Sequence, residues 1–136
     1  MSWAQSLVKL SAYEVEVLQK RLGEIADRRV QAEMKLVMLA AEGEAEAENA
    51  RRDAEHGWYQ LGFLEGLRTR RALILADIAQ IQIEEAGARD ALALAFEEQK
   101  KYEQVAQGIR MARAKETARQ ETAALDELGL RMAARG

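Results

Sequence analysis

The residues best placed to move a proton in this chain are two pairs of adjacent carboxylates, Glu84 with Glu85 and Glu97 with Glu98. Carboxyl groups sharing a concave, water-excluding pocket can have their pKa values driven apart and so divide acid from base work. His56 could in principle hold a metal, but the chain has no cysteine and no second histidine to join it. Cys/His zinc sites, disulfides and thiolate nucleophiles are therefore excluded, and His56 reads as a turn residue. Gly62 and Gly66 make a small-xxx-small pair of the kind that brings membrane helices together, yet Glu65, Arg68, Arg70 and Arg71 crowd round it. Those charges make the pair incidental to a helix start.

Whether a carboxylate pair can work depends on the elements that carry it. Ala, Glu, Lys, Leu and Arg supply 80 of the 136 residues, and proline is absent. That composition marks long helices or a coiled coil, with nothing to break them. The N-terminus, MSWAQSLVKLSAYEVE, turns acidic too early for a secretory signal, so a cytoplasmic protein is expected. The most apolar run, residues 72–83, is about half a bilayer span and contains Asp77, so no membrane insertion is expected. Net charge is −3 with both signs interleaved, which lacks the basic field that nucleic-acid binding requires. Residues 42–55 lean acidic and the stretch from Lys100 onward leans basic, the pattern of solvated helix faces.

A heptad frame fits the first third. Val8, Val15, Leu22 and Leu36 occupy one seam position and Leu18, Ile25, Ala32 and Leu39 the other, with Ser11 and Arg29 as the polar breaks. Such a narrow stripe packs against one partner helix. The frame dissolves from residue 40 to 56, and His56-Gly57 then precedes a fresh apolar cluster, Trp58, Tyr59, Leu61, Phe63 and Leu64. A bend near residues 55–58 is predicted there, with Gly43 as the competing stop. The second helix carries Leu67, Ile74, Ile81, Ala88, Ala95, Tyr102 and Ile109 at seven-residue steps. Its companion positions alternate between apolar (Leu64, Ile78, Leu92, Ala106) and polar (Arg71, Glu85, Gln99, Arg113). Beyond Ile109 the seam weakens, so that end is expected to be poorly anchored.

The predicted fold is all-α: one long antiparallel two-helix coiled coil with an overhanging C-terminal helix. The helices cover about residues 3–54 and 58–133. A bend near Gly57 makes the numbers of facing residues sum to about 113, setting Arg29 opposite Glu84 and Glu85. A two-helix hairpin has no pocket to shift carboxylate pKa values, so Glu84, Glu85, Glu97 and Glu98 are expected at the surface and no enzymatic constellation survives. Trp58, Tyr59 and Phe63 exceed what a thin seam can bury, which suits either an interface or local packing at the hairpin tip.

Three runs, RLGEIADRRVQAEMKLVML (21–39), WYQLGFLEGL (58–67) and EEQKKYEQVA (97–106), resemble the FliJ family in sequence and in order. These are small coiled-coil proteins of the bacterial flagellar export apparatus. The resemblance implies a hairpin similar to the coiled coil of the rotary ATPase gamma subunit, with no cofactor and no catalysis, at the cytoplasmic face of the inner membrane. It implies that the free-end region enters the hexameric ring of the export ATPase. That region holds Leu7 and Leu10, with Arg110, Arg113 and Arg119 in the basic stretch. It further implies that the tip region contacts the cytoplasmic linker of the export gate, and that export chaperones are also bound. By position Leu39, Phe63 and Leu67 match the gate patch, while Glu42 and Glu46 stand where the family favours an aromatic. The injectisome counterpart of this stalk, a generic dimerising scaffold and a lipid-surface protein are the alternatives, the narrow seam arguing against the last.

Overall fold

The computed structural model describes residues 2–52 and 60–135, and Ser2 apart every one of them is helical. Helix α1 is Trp3–Arg52 and α2 is Gln60–Arg135. They pack against each other as an all-α hairpin. The expected bend at residues 55–58, with His56, Trp58 and Tyr59, lies outside the described residues. The alternative stop at Gly43 does not occur, because α1 runs through it to Arg52. Glycine costs about 1 kcal/mol in a helix interior. The surrounding Ala and Glu residues, strong helix formers, absorb that cost. The chain divides into two compact units, Glu16–Ala93 and Met1–Val15 with Leu94–Gly136.

In the Glu16–Ala93 unit the heptad frame is the buried stripe. Ile25, Ala32, Ile78 and Ile81 form its core, with Leu36, Ile74 and Ala88 packed against them. Two ion pairs establish the direction: Arg28 meets Glu84 and Arg70 meets Glu42. A step of two heptads forward on α1 is matched by two heptads backward on α2, so the helices are antiparallel. This register sets Ile25 in the layer of Ala88 and Ala32 in the layer of Ile81. A large side chain thus faces a small one in each of these layers, which lets the two helices approach closely. A Cβ on Gly43 would lie 3.1 Å from Leu67 Cδ1, so the missing side chain leaves room for Leu67.

In the other unit α1 starts on a reciprocal cap. The Gln5 N–H donates to Ser2 Oγ at 3.2 Å, and the Ser2 N–H donates to Gln5 Oε1 at 3.1 Å. Two orphan donors of the first turn are satisfied together, as in a capping box. Ala4, Ser11 and Val15 are buried, as are Ala95 and Ala106 on α2. Ser11 is tolerated in the seam because its hydroxyl donates to the Val8 carbonyl at 2.9 Å, leaving no polar group unsatisfied. From Met111 to Arg135 every residue is exposed, yet the helix continues two residues past the expected end. Local pairs sustain it: Arg119 grips Glu116 and Arg131 grips Glu127 one turn away.

The core assignment makes a stability prediction. Ile81 is 3% exposed and Ile83 is 67% exposed. Ile81→Ala should cost about 2–4 kcal/mol by deleting packed methyl groups, whereas Ile83→Ala should stay within about 0.5 kcal/mol. Urea unfolding followed by circular dichroism reads both.

Candidate partner-binding surfaces

A salt-bridge cluster at the centre of the Glu16–Ala93 unit holds its two helices in place. Glu85 sits at a seam position with its side chain only 6% exposed. It accepts a hydrogen bond from Arg29 Nε at 2.6 Å and another from an Arg89 terminal nitrogen at 2.6 Å. Arg29 also donates to Glu33 at 3.1 Å. The two carboxylates predicted to face Arg29 therefore part company. Glu85 takes it, while Glu84, one position round the helix, lies on the flank and pairs with Arg28 at 2.7 Å. The hydrogen bond from Arg29 holds the Glu85 carboxyl below its ordinary value of 4.5, against the opposing effect of desolvation. A general acid needs the opposite shift, so this pair is built to stay ionised. Glu84, Glu97 and Glu98 are exposed, as expected, whereas Glu85, expected at the surface with them, is buried because its seam position turns it toward Arg29. Among the described residues no group of three or more acidic or histidine side chains could hold a metal.

Toward the Arg52 and Gln60 ends of the same unit, the two flanks differ. One is closed by Arg70 and Glu42, which form a two-pronged pair at 3.0 and 3.3 Å. The other opens as a groove of about 680 Å³ beside Gly43. Leu36, Leu39, Leu64 and Leu67 line it, with Val37 and Ala40 on one lip and Arg68 and Arg71 on the other. Of the three residues matched to the gate patch, Leu39 is buried at 6% exposure, and Phe63 and Leu67 are half-buried. Leu39 and Leu67 share this groove, with Leu39 turned into the seam as its floor. Heptad reasoning did not single out Val37, which is 69% exposed. Its position one residue after the seam residue Leu36 was the available signal.

The remaining candidates belong to the other unit. Leu7 is half-buried and Leu10 exposed. Arg110 lines a shallow groove with Val8, Lys9 and Glu103. Arg113 and Arg119 stand on the exposed part of α2, where Arg119 is held by Glu116 through two bonds of 2.7 and 3.0 Å. That hydrogen bonding lowers the Glu116 pKa and raises that of Arg119. Arg110 and Arg113 make no ion pair among the described residues, so they are the more available cations of the three.

The Glu85 cluster generates a pH prediction. A carboxyl with a lowered folded pKa contributes stability that is present above its unfolded value and lost as pH falls through the folded one. Thermal unfolding should therefore show a falling Tm as pH drops below 4.5. Glu85→Gln should lower Tm at pH 7 by several degrees and flatten that acid dependence. An unchanged acid slope in Glu85→Gln would remove the cluster from this role.

No family model matches the chain, and no solved structure matches it. Two curated relatives do match over nearly its whole length. They are the Flagellar FliJ protein of Caulobacter vibrioides strain NA1000 / CB15N and the Flagellar FliJ protein of strain ATCC 19089 / CIP 103742 / CB 15. Each is 54% identical over 134 residues, covering 98% of this chain and 96% of the relative. Identity of that extent, on a helical hairpin whose seam, ion-pair cluster and exposed surfaces have been traced residue by residue, shows that the chain belongs to the FliJ family.

Proposed function

We propose that this chain is a non-enzymatic component of the bacterial flagellar protein export apparatus. In this reading it is a stalk-like coiled coil that inserts in the export ATPase ring and promotes its assembly. It couples that ring to the export gate and to export chaperones at the cytoplasmic face of the inner membrane. Family membership supports the flagellar assignment over the injectisome counterpart. No described helix is long and apolar enough to cross a membrane.

The observation that carries the stalk reading is the stretch of α2 from Met111 to Arg135, exposed at every residue. Most helical stability in proteins comes from tertiary packing of an apolar face, and this stretch has no such packing. It also presents Met111, Leu125, Leu128 and Met132 to solvent, so an enclosing partner would bury apolar surface and fix the helix. Arg110 and Arg113 at its base supply cations for a charged channel. The gate reading draws on the groove that contains Leu39 and Leu67, with Phe63 nearby in sequence on α2.

The test is addition of the purified chain to its cognate export ATPase, reading ring assembly by light scattering and ATP turnover. Both should rise several-fold, and the effect should weaken with added salt because exposed charges are screened within about 8 Å at physiological ionic strength. A chain truncated after Arg110 keeps the packed part of its unit and should lose both effects. Arg110→Ala with Arg113→Ala should lose most of them. A full-length chain that neither binds nor stimulates the ATPase across the salt series leaves the generic scaffold as the better account.

A further inference from the structure

The open groove beside Gly43 carries information about what it binds. Leu64 and Val37 leave apolar surface facing solvent there, 44% and 69% exposed. A groove of about 680 Å³ is within the range of ligand-binding clefts. Along α1 it runs from Leu36 to Gly43, about 10 Å at 1.5 Å per residue, or two helical turns. Both walls are helices whose backbone groups are already paired, so an incoming chain can add no strand. It can only pack side chains. An amphipathic helix does this with apolar residues at i, i+3 or i+4, and i+7, which is the span available.

The second feature is charge. Arg68 and Arg71 stand three residues apart on the α2 lip, both exposed, and neither makes an ion pair among the described residues. Their neighbour Arg70 is satisfied by Glu42 on the opposite flank. Two like charges side by side on a helix are mutually unfavourable until an anion joins them. A guanidinium recognises a carboxylate through parallel hydrogen bonds. Apolar floor and cationic lip together specify an amphipathic helix with acidic residues along one edge.

Building on the gate reading above, we propose that the export-gate segment docking here is such a helix. Its apolar face fills the groove beside Gly43, and its carboxylates pair with Arg68 and Arg71. Ala40, on the facing lip, governs access to the groove.

The experiment titrates the full-length chain against a fluorescent peptide covering the cytoplasmic linker of the cognate gate, read by anisotropy over a salt series. Arg68→Glu with Arg71→Glu should weaken binding at least tenfold, and Ala40→Trp, which fills the groove from an exposed position, at least fivefold. Arg70→Glu, on the closed flank, should stay within twofold. A linker peptide with its acidic residues changed to lysine should bind the Arg68→Glu, Arg71→Glu chain better than it binds the unaltered one. Circular dichroism melts confirm that each variant keeps its fold. If the linker binds the unaltered chain and all three variants alike, the groove is not the site and this inference falls while the gate reading stands. If the linker fails to bind the unaltered chain at any salt, the gate reading falls and takes the inference with it. A chain that self-associates through this groove, shown by a dimer that Ala40→Trp disperses, would also overturn it.

Discussion

Glu85 is a charge with little access to water, and the arrangement of the Glu16–Ala93 unit follows from the need to pair it. Its carboxylate lies 2.6 Å from Arg29 across the seam and 2.6 Å from Arg89 one turn along its own helix. A slide of one heptad in either direction would set Glu85 against Leu22 or Leu36, neither of which can pair with it. An unpartnered charge in a seam is far more costly than a mismatched apolar contact, so the wrong registers are selected against. The net contribution of such a pair to stability is small compared with its contribution to uniqueness. A single polar position in an otherwise apolar coiled-coil seam commonly has this role.

Once Arg29 and Glu85 are joined, the neighbouring layers have no freedom left. Ala32 comes level with Ile81 and Ala88 with Ile25, so that small residues receive large ones and the helices can approach closely. Arg28 and Glu84 then meet on one flank, and two heptads on Glu42 and Arg70 meet on the same flank. The opposite flank has alanine on α1 at Ala40, where a longer side chain would have closed it. Gly43 brings Leu67 inward, and the groove between Val37 and Arg68 is what remains. A binding surface therefore arises from the same register that stabilises the pair.

The unit containing both chain ends follows another logic. Its packed portion is built from small residues, Ala4, Ser11, Ala95 and Ala106, with Tyr102 and Ile109 supplying bulk. Its α1 start is held by the Ser2 and Gln5 cap. Past Arg110 tertiary support ends, and helix propensity with local ion pairs sustains the rest. A segment of that kind suits a protein that is completed by a partner, since burial of its apolar residues is deferred until binding.

Much of this was legible in the chain itself. The absence of proline and the seven-residue spacing of Leu67, Ile74, Ile81 and Ala88 determine helices with one buried stripe, because a period near 3.5 leaves no other face to pack. Arg29 and Glu85 were predictable partners, since a short connection between two helices sets which residues face each other. The Ser2-x-x-Gln5 spacing of a cap is also in the sequence, but its meaning lies in two hydrogen bonds from backbone N–H groups to side-chain oxygens and not in polarity. Only the tertiary structure separated Glu84 from Glu85, turned Leu39 inward while leaving Val37 outside, and closed one flank while opening the other. Each of these depends on how far each helix is rotated about its own axis. That angle is set jointly by all the layers in contact, and no local run of sequence contains it.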